Sequence, residues 1–372
     1  MRSFLTTCVG LLALATPVLA AGSQPHVPRA LTWLAEQQAR DGSWGKNDKL
    51  ALTGMSGLAL LASGSTPTRG PYAPNILRAV EFVLGTQTDR RAFTHSSSGY
   101  SYIHNHGYAL LFLTQCYGEG GELDERLAQA IRQGVKATVA SQFQNGGFGY
   151  ALYRKPGPAQ SGMWEDDEAS TTVSQIQALR GARNAGFDVP RQALERAGDY
   201  IAKSQHSSGG FVYSIAEGKI KVSLVEGSNS PTFAITAAAA AVLNALGTYE
   251  GPALERGVEY MEAFLPPSRR RERFFYYGHY YAAQVMAMRG GTRGRRWLDA
   301  IYAELAERQS STGYWKADQD DTLASDDSRI LNTAWAIQIS LIERGLPRST
   351  SASRRTPREA PPSDVLPVRR AA

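Results

Sequence analysis

The 372-residue chain carries 40 Lys and Arg against 34 Asp and Glu, is 42% hydrophobic and holds two cysteines, too few for a disulfide framework or a zinc site built on several thiolates. Its formal charge of +6 is not a nucleic-acid signature, because the excess sits at the ends. From Pro347 to Ala372 six arginines face only Glu359 and Asp364, giving +4, and Arg2 adds +1, so the body is near +1.

In chain order, residues 1–21 have the parts of a secretory signal: Arg2, an apolar stretch from Phe4 to Leu19, and the small residues Ala20 and Ala21 at a cleavage point. The mature chain is expected to start near Gly22, as an exported protein (periplasmic or extracellular) without a membrane anchor, since the apolar stretch is shorter than a spanning helix needs. Amphipathic helices are expected near 28–38, 75–86, 124–142, 190–204, 252–265 and 295–308. Each is followed by a more uniformly apolar helix, near 48–63, 104–117, 167–185, 231–247, 276–289 and 328–343. Phe233 to Leu246, with alanines from 237 to 241 and no charge, is the clearest of these. The pattern predicts an all-α chain, an α/α toroid of about six helical hairpins with inner and outer rings, spanning residues 22–346. Residues 347–372, rich in Pro, Arg and Ser, are expected to form a disordered tail, with a basic docking segment for a protein partner as the alternative.

Four segments share one pattern: Gln38 to Trp44, Gln142 to Phe148, Gln205 to Phe211 and Gln309 to Trp315. Each reads Gln, three residues, Gly, any residue, then Trp or Phe; Gln87 opens a degenerate stretch in the second hairpin. The glycine, just past an outer helix, suits a left-handed turn, and the aromatic can pin that turn to the core. These segments resemble the repeats of the prenyltransferase and squalene-cyclase superfamily, over about residues 27–345. The resemblance implies the toroid and leaves the activity open among terpene cyclases, protein prenyltransferases, thioester domains and exported bacterial members without an assigned reaction.

Each branch has a chemical requirement. Prenyltransferases hold zinc with a Cys, and here the one mature cysteine, Cys116, lies mid-helix between Leu110 and Tyr117 and reads as a buried hydrophobe. Thioester domains require Cys-Gly-Glu-Gln, whereas Cys116 is followed by Tyr-Gly-Glu-Gly. Class II terpene cyclases protonate an alkene with the middle acid of Asp-x-Asp-Asp-Thr, and Asp318-Gln-Asp320-Asp321-Thr322 matches by letter. Carried over, Asp320 is the proton donor; the alternative is a solvated acidic loop, since Asp326 and Asp327 follow closely.

Parallel inner helices gather their N-termini at one mouth, where a site is to be sought. Candidates there are His104, His106, Asp166, Asp167, Tyr276, Tyr277 and Tyr280 for ligand binding, with His279 and Tyr281 beside Asp320 as catalytic candidates. Each has a structural alternative. Asp166, Asp167 and Glu168 can serve a helix start by capping and dipole compensation, and the histidines can be hydrogen-bonded core residues or, converging, an acid–base pair or metal ligands. The aromatic set, including Tyr100, Tyr102, Tyr108 and the run from Phe274 to Tyr281, suits a hydrophobic ring system as well as core packing. Arg269, Arg270, Arg271 and Arg273 could pair with an anionic group or form a solvated loop.

The leading expectation is an exported toroid that binds a small hydrophobic, isoprenoid-like ligand in an aromatic cavity, with no cofactor required by the sequence, no metal and no nucleic-acid partner. A polysaccharide-binding or -degrading toroid and a non-catalytic protein-interaction scaffold are the alternatives.

Overall fold

The computed structural model describes residues 24–89, 91–96, 102–152, 167–216, 219–220, 229–268, 272–317 and 325–344. The signal-like segment, the tail, Asp166, Arg269 to Arg271 and the stretch from Asp318 to Thr322, Asp320 included, lie outside them.

Six outer helices alternate with six inner ones. The outer helices are α1 (Val27–Glu36), α3 (Ala73–Leu84), α5 (Asp124–Ser141), α7 (Arg191–Lys203), α9 (Pro252–Glu262) and α11 (Gly291–Arg308). The inner helices are α2 (Lys49–Ala62), α4 (Tyr102–Cys116), α6 (Ala169–Asn184), α8 (Phe233–Ala245), α10 (Phe275–Arg289) and α12 (Ser325–Ser340). Each inner helix packs on the next, and α12 packs back on α1 and α2, so the ring closes. A two-residue antiparallel ribbon, Ile215–Ala216 with Lys219–Ile220, is the only strand pairing beyond isolated bridges among the described residues.

The sequence divides the helices as a double ring requires. In α7 only one face is buried, through Ala193, Leu194, Ala197, Tyr200 and Ile201, while every residue of α8 is buried. Proline opens α1, α3 and α9, where its missing N–H costs nothing.

The Gln-x-x-x-Gly-x-aromatic segments are the staples between hairpins. The Gln142 side-chain amide donates to the Gly146 carbonyl (3.0 Å) and to the Ala193 carbonyl at the start of the next outer helix (2.8 Å). Gln38 makes the same pair of bonds to Gly42 and Asn75, and Gln205 to Gly209 and Ala253. Gln309 bonds Gly313 and reaches the His26 carbonyl (3.2 Å), joining the last hairpin to the first. The closure is reinforced by Asp327, whose two carboxylate oxygens accept from Lys46 N–H and Asn47 N–H at 2.9 Å each.

The glycine is required for two reasons. Gly146 has φ +94°, and a Cβ there would lie 2.0 Å from the Arg196 carbonyl oxygen. The degenerate copy keeps the staple, because Gln87 bonds the carbonyls of Arg91 and Ala130, but Arg91 stands in the glycine's place at φ +72°. An L-residue in that region costs about 1–2 kcal/mol, part of which the entropy of an added glycine offsets. Arg91→Gly is therefore expected to stabilise the protein by about 0.5–1 kcal/mol, read as a raised urea midpoint at unchanged m-value. An unchanged or lowered midpoint counts against strain at this turn.

Candidate functional site

One kind of hydrogen bond recurs at five of the six inner helices and sets their register. The backbone N–H of each motif aromatic donates to a threonine in the following inner helix, one turn in for α2, α6 and α8 and two turns in for α12: Trp44 to Thr53 (3.1 Å), Phe148 to Thr172 (3.0 Å), Phe211 to Thr236 (2.9 Å) and Trp315 to Thr333 (3.2 Å). In the second hairpin Phe93 N–H donates instead to His106 Nδ1 (3.1 Å). His106 thus does the work of a threonine. It is fully buried, its Nε2 meets Thr138 Oγ1 at 3.0 Å, and burial pushes it down to about 4.

His279 holds the corresponding place in α10. It too is fully buried, in the layer between the rings, among Phe233, Phe275 and Trp297 of the outer helix α11 (ring centroids 4.8, 4.5 and 5.6 Å), with Nε2 2.5 Å from buried Glu272. His106, expected to bind ligand, and His279, expected to be catalytic, thus both lie buried in the layer between the rings, at the stitch position of their helices. Tyr276, 2% exposed, precedes His279 by three residues, as Leu50 precedes Thr53 and Phe233 precedes Thr236, and is wall packing as well. Asp167 is held by three donors, Asn145 Nδ2 (2.7 Å), Tyr200 Oη (2.8 Å) and Ile215 N–H (3.1 Å), which ties three segments together and leaves it little capacity for a ligand.

Counted from the stitch residue, positions two before, two after and five after fall on one helical stripe that faces the ring's interior. Two contacts between helices that are not neighbours in the ring establish this. The Tyr108 phenol of α4 lies against that of Tyr281 of α10, and Gln177 of α6 donates to Gln284 of α10 at 3.2 Å. Gln338 reaches the Met55 carbonyl (3.4 Å) at the same level, so Gln177, Gln284 and Gln338 form a floor.

By register the interior stripe above the floor is mostly aromatic and apolar: Met55, Tyr108, Ser174, Ala238, Tyr281 and Trp335 two residues after the stitch, and Ala51, His104, Ser170, Ala234, Tyr277 and Leu331 two residues before it, nearer the mouth. Tyr277 packs on Tyr281 (4.8 Å) and Trp335 (5.9 Å), and Tyr280 packs on Tyr281 (4.8 Å) and Trp335 (6.4 Å). Of the expected residues, the structure brings His104, Tyr277, Tyr280 and Tyr281 together here. Burial raises all three phenols above the usual tyrosine range. The hydroxyls of Tyr277, Tyr280 and Tyr281 and the Trp335 indole N–H are buried without closing a hydrogen bond of normal geometry.

One carboxyl stands at the mouth. Glu168 is the N-cap of α6 and is 9% exposed; its Oε2 accepts from Thr171 N–H (3.2 Å) and, in a short bond, from Ser170 Oγ. Ser170 Oγ meets His104 Nε2 at 3.3 Å, and Tyr150 also bonds the Glu168 carboxyl. Burial outweighs these bonds and pushes Glu168 up to about 7. His104 is driven the other way, to about 4, by burial, against the pull of Ser170 and the Asp48 charge. Backbone bonds bring two more aromatics to the mouth: Ala169 N–H donates to the Tyr213 carbonyl (2.7 Å) and Ile103 N–H to that of Tyr150 (3.2 Å). The Glu168 charge, added to burial, raises Tyr213 and Tyr108 to about 12 each.

Sequence reasoning placed Glu168 at the mouth with capping as the favoured reading and left it out of the named site residues, and it missed Trp335, Tyr150 and Tyr213 as site residues. The signal that finds Trp335 is its offset of two from Thr333, the same offset that Tyr108 has from His106 and Tyr281 from His279. Among the described residues no group of three or more His, Cys, Asp or Glu gathers as metal ligands. No helix there is long and apolar enough to cross a membrane.

Solved structures share this architecture. A variant of the type II terpene cyclase MstE from Scytonema, in complex with merosterolic acid A, superposes with a TM-score of 0.56 at 15% identity, over 85% of this chain and 95% of that one. Protein geranylgeranyltransferase-I of Candida albicans complexed with GGPP gives 0.54 at 13%, over 88% and 96%. D-mannose isomerase gives 0.56 at 10%, over 85% and 96%. The chain has the α/α-toroid fold that these proteins share. No protein-family model matches the sequence, and comparison with curated protein sequences returned no match. At these identities the shared toroid is a statement about fold, and the site chemistry has to come from the residues of this chain.

Proposed function

We propose that the toroid binds a small hydrophobic ligand of isoprenoid type in the aromatic well, apolar body inward and a polar end between Glu168 and the phenols of α10, and that it does so as an exported protein. The observation that carries the reading is the interior stripe, which presents Met55, Leu331, Trp335, Tyr108, Tyr277 and Tyr281 together with alanines, and the buried Glu168 carboxyl at the rim. A ligand site with many apolar walls and few placed polar groups selects a hydrophobic body and orients one end of it. A sugar site needs a polar partner for most hydroxyls, and the floor glutamines are partly spent on each other and on backbone. The fold adds support at its own level, since MstE and the Candida enzyme are seen with terpenoid and prenyl ligands. Export rests on the signal-like residues 1–21.

Native mass spectrometry of the protein isolated from an exported fraction tests both parts. The expected mass begins near Gly22, and added farnesol is expected to bind one to one while a maltose-type oligosaccharide does not. Binding of the oligosaccharide and not of farnesol reverses the reading in favour of carbohydrate. A protein that binds neither but retains a partner through residues 347–372 favours the scaffold.

A further inference from the structure

The well has a base at its rim and unspent donors inside, separated by apolar wall. Glu168 is held by Thr171 N–H and Ser170 Oγ and also by the Tyr150 hydroxyl, which a ligand would displace to reach the carboxylate. Across the mouth from it, on α10, Tyr277 and Tyr281 bury hydroxyls that close no hydrogen bond of normal geometry. The Tyr277 and Tyr281 hydroxyls, paired only loosely with neighbouring phenols, can turn to an acceptor, and the acceptor that fits a hydrophobic ligand is a carbonyl oxygen. A carboxylate on one side and phenol donors on the other, in an apolar enclosure, is an arrangement that stabilises an enolate more than the ketone it comes from.

We propose that the ligand is an isoprenoid ketone and that Glu168 moves a proton at the carbon beside its carbonyl, with Tyr281 and Tyr277 holding the oxygen. This rests on the hydrophobic-ligand reading above. The Glu168 carboxylate takes the proton from the carbon next to the carbonyl; the C–H pair becomes the C=C bond of the enolate and the carbonyl π pair moves onto oxygen, which the phenols hold by hydrogen bonds. Glu168, now a carboxylic acid, returns the proton to the same carbon, or to the γ carbon where the enolate is conjugated with a double bond. The first outcome is exchange with solvent and the second shifts the double bond; neither consumes an oxidant or a reductant. Ser170 and His104 act as positioning residues that hold the Glu168 oxygen and connect it to the half-exposed mouth. A carboxyl that titrates near neutral pH is matched to such carbon acids and is too weak an acid for an isolated alkene, which separates this chemistry from alkene-initiated cyclisation.

The probe is geranylacetone in D2O near neutral pD, with deuterium uptake at the carbons flanking the ketone followed by mass spectrometry and binding followed by tryptophan fluorescence. Wild-type protein is expected to accelerate uptake at least ~100-fold over buffer. Glu168→Gln is expected to remove nearly all of that acceleration while binding stays within ~3-fold, and Tyr281→Phe to lower the rate by ~10-fold or more. Unchanged uptake in Glu168→Gln overturns the assignment of the base. Binding of geranylacetone without accelerated uptake overturns the proposed chemistry and leaves the hydrophobic-ligand reading standing. Failure of the well-folded protein to bind geranylacetone or farnesol removes both.

Discussion

Acidification from pH 7 to pH 4 is expected to cost the protein about 3 kcal/mol through His106 alone, and His106→Asn is expected to abolish that component. The geometry fixes the neutral ring. Thr138 Oγ1 already donates to the Gly134 carbonyl at 3.1 Å, so it is available to His106 Nε2 as an acceptor, which places the ring's proton on Nε2 and leaves Nδ1 to accept from Phe93 N–H. A second proton on Nδ1 would face that N–H and break the stitch between the turn at Phe93 and α4. The folded value of about 4 lies below the ordinary 6.5, so the unfolded chain binds the proton first. Stability from this group is complete above about 6.5 and is lost as pH falls toward 4. Asn at position 106 can keep an oxygen where Nδ1 accepts from Phe93, at a cost of about 1–2 kcal/mol in lost packing and the lost Thr138 bond. Urea midpoints measured between pH 4 and pH 7 on both proteins decide it. Parallel pH profiles for wild type and His106→Asn would show that the histidine is not the acid-sensitive element.

The toroid was legible because its signals are local and repeated. Outer helices carry their apolar residues on one face, α8 has no charge at all, and the Gln and Gly of each staple are four residues apart, so the bounds of all six hairpins could be read to within a few residues. The site was harder because facing is a matter of register rather than of position along the helix. His104 and His106 are two residues apart, yet one looks into the well and the other into the wall; His279 and Tyr281 are divided in the same way. In five of the six inner helices that register is set by the bond from an aromatic's N–H to the stitch residue, across loops of unequal length, and sequence spacing does not display it. With the threonines aligned, His106 and His279 fall into their column and the inward stripe follows. Glu168 was missed for a different reason. As the residue before Ala-Ser-Thr-Thr it has the appearance of a cap, and it is one, but what makes it chemically unusual is burial beside Tyr150 of its own hairpin's loop and Tyr213 of the next hairpin.

Glu168→Gln is expected to raise stability at pH 8 by up to ~3 kcal/mol while leaving stability at pH 4 nearly unchanged. The folded protein holds this proton up to about 7, whereas an unfolded chain releases it near 4.5. Below 4.5 both states are protonated and the group contributes no difference. As pH rises through the window from 4.5 to 7 the folded state binds more protons than the unfolded one, so stability falls, and above 7 the full penalty remains. Glutamine keeps an oxygen for Ser170 Oγ and Thr171 N–H but never ionises, which removes the penalty and preserves the cap. The direction distinguishes a working acid from a structural one. A carboxylate retained for its hydrogen bonds loses stability when neutralised, as at a buried ion pair broken from one side. A carboxyl kept in an apolar mouth at the expense of the fold gains it, and that trade is characteristic of groups retained for chemistry. Thermal midpoints of wild type and Glu168→Gln at pH 4, 6 and 8 give the test. A variant less stable than wild type at pH 8 would place Glu168 among the structural caps and withdraw the support that its burial gives to a role in proton transfer.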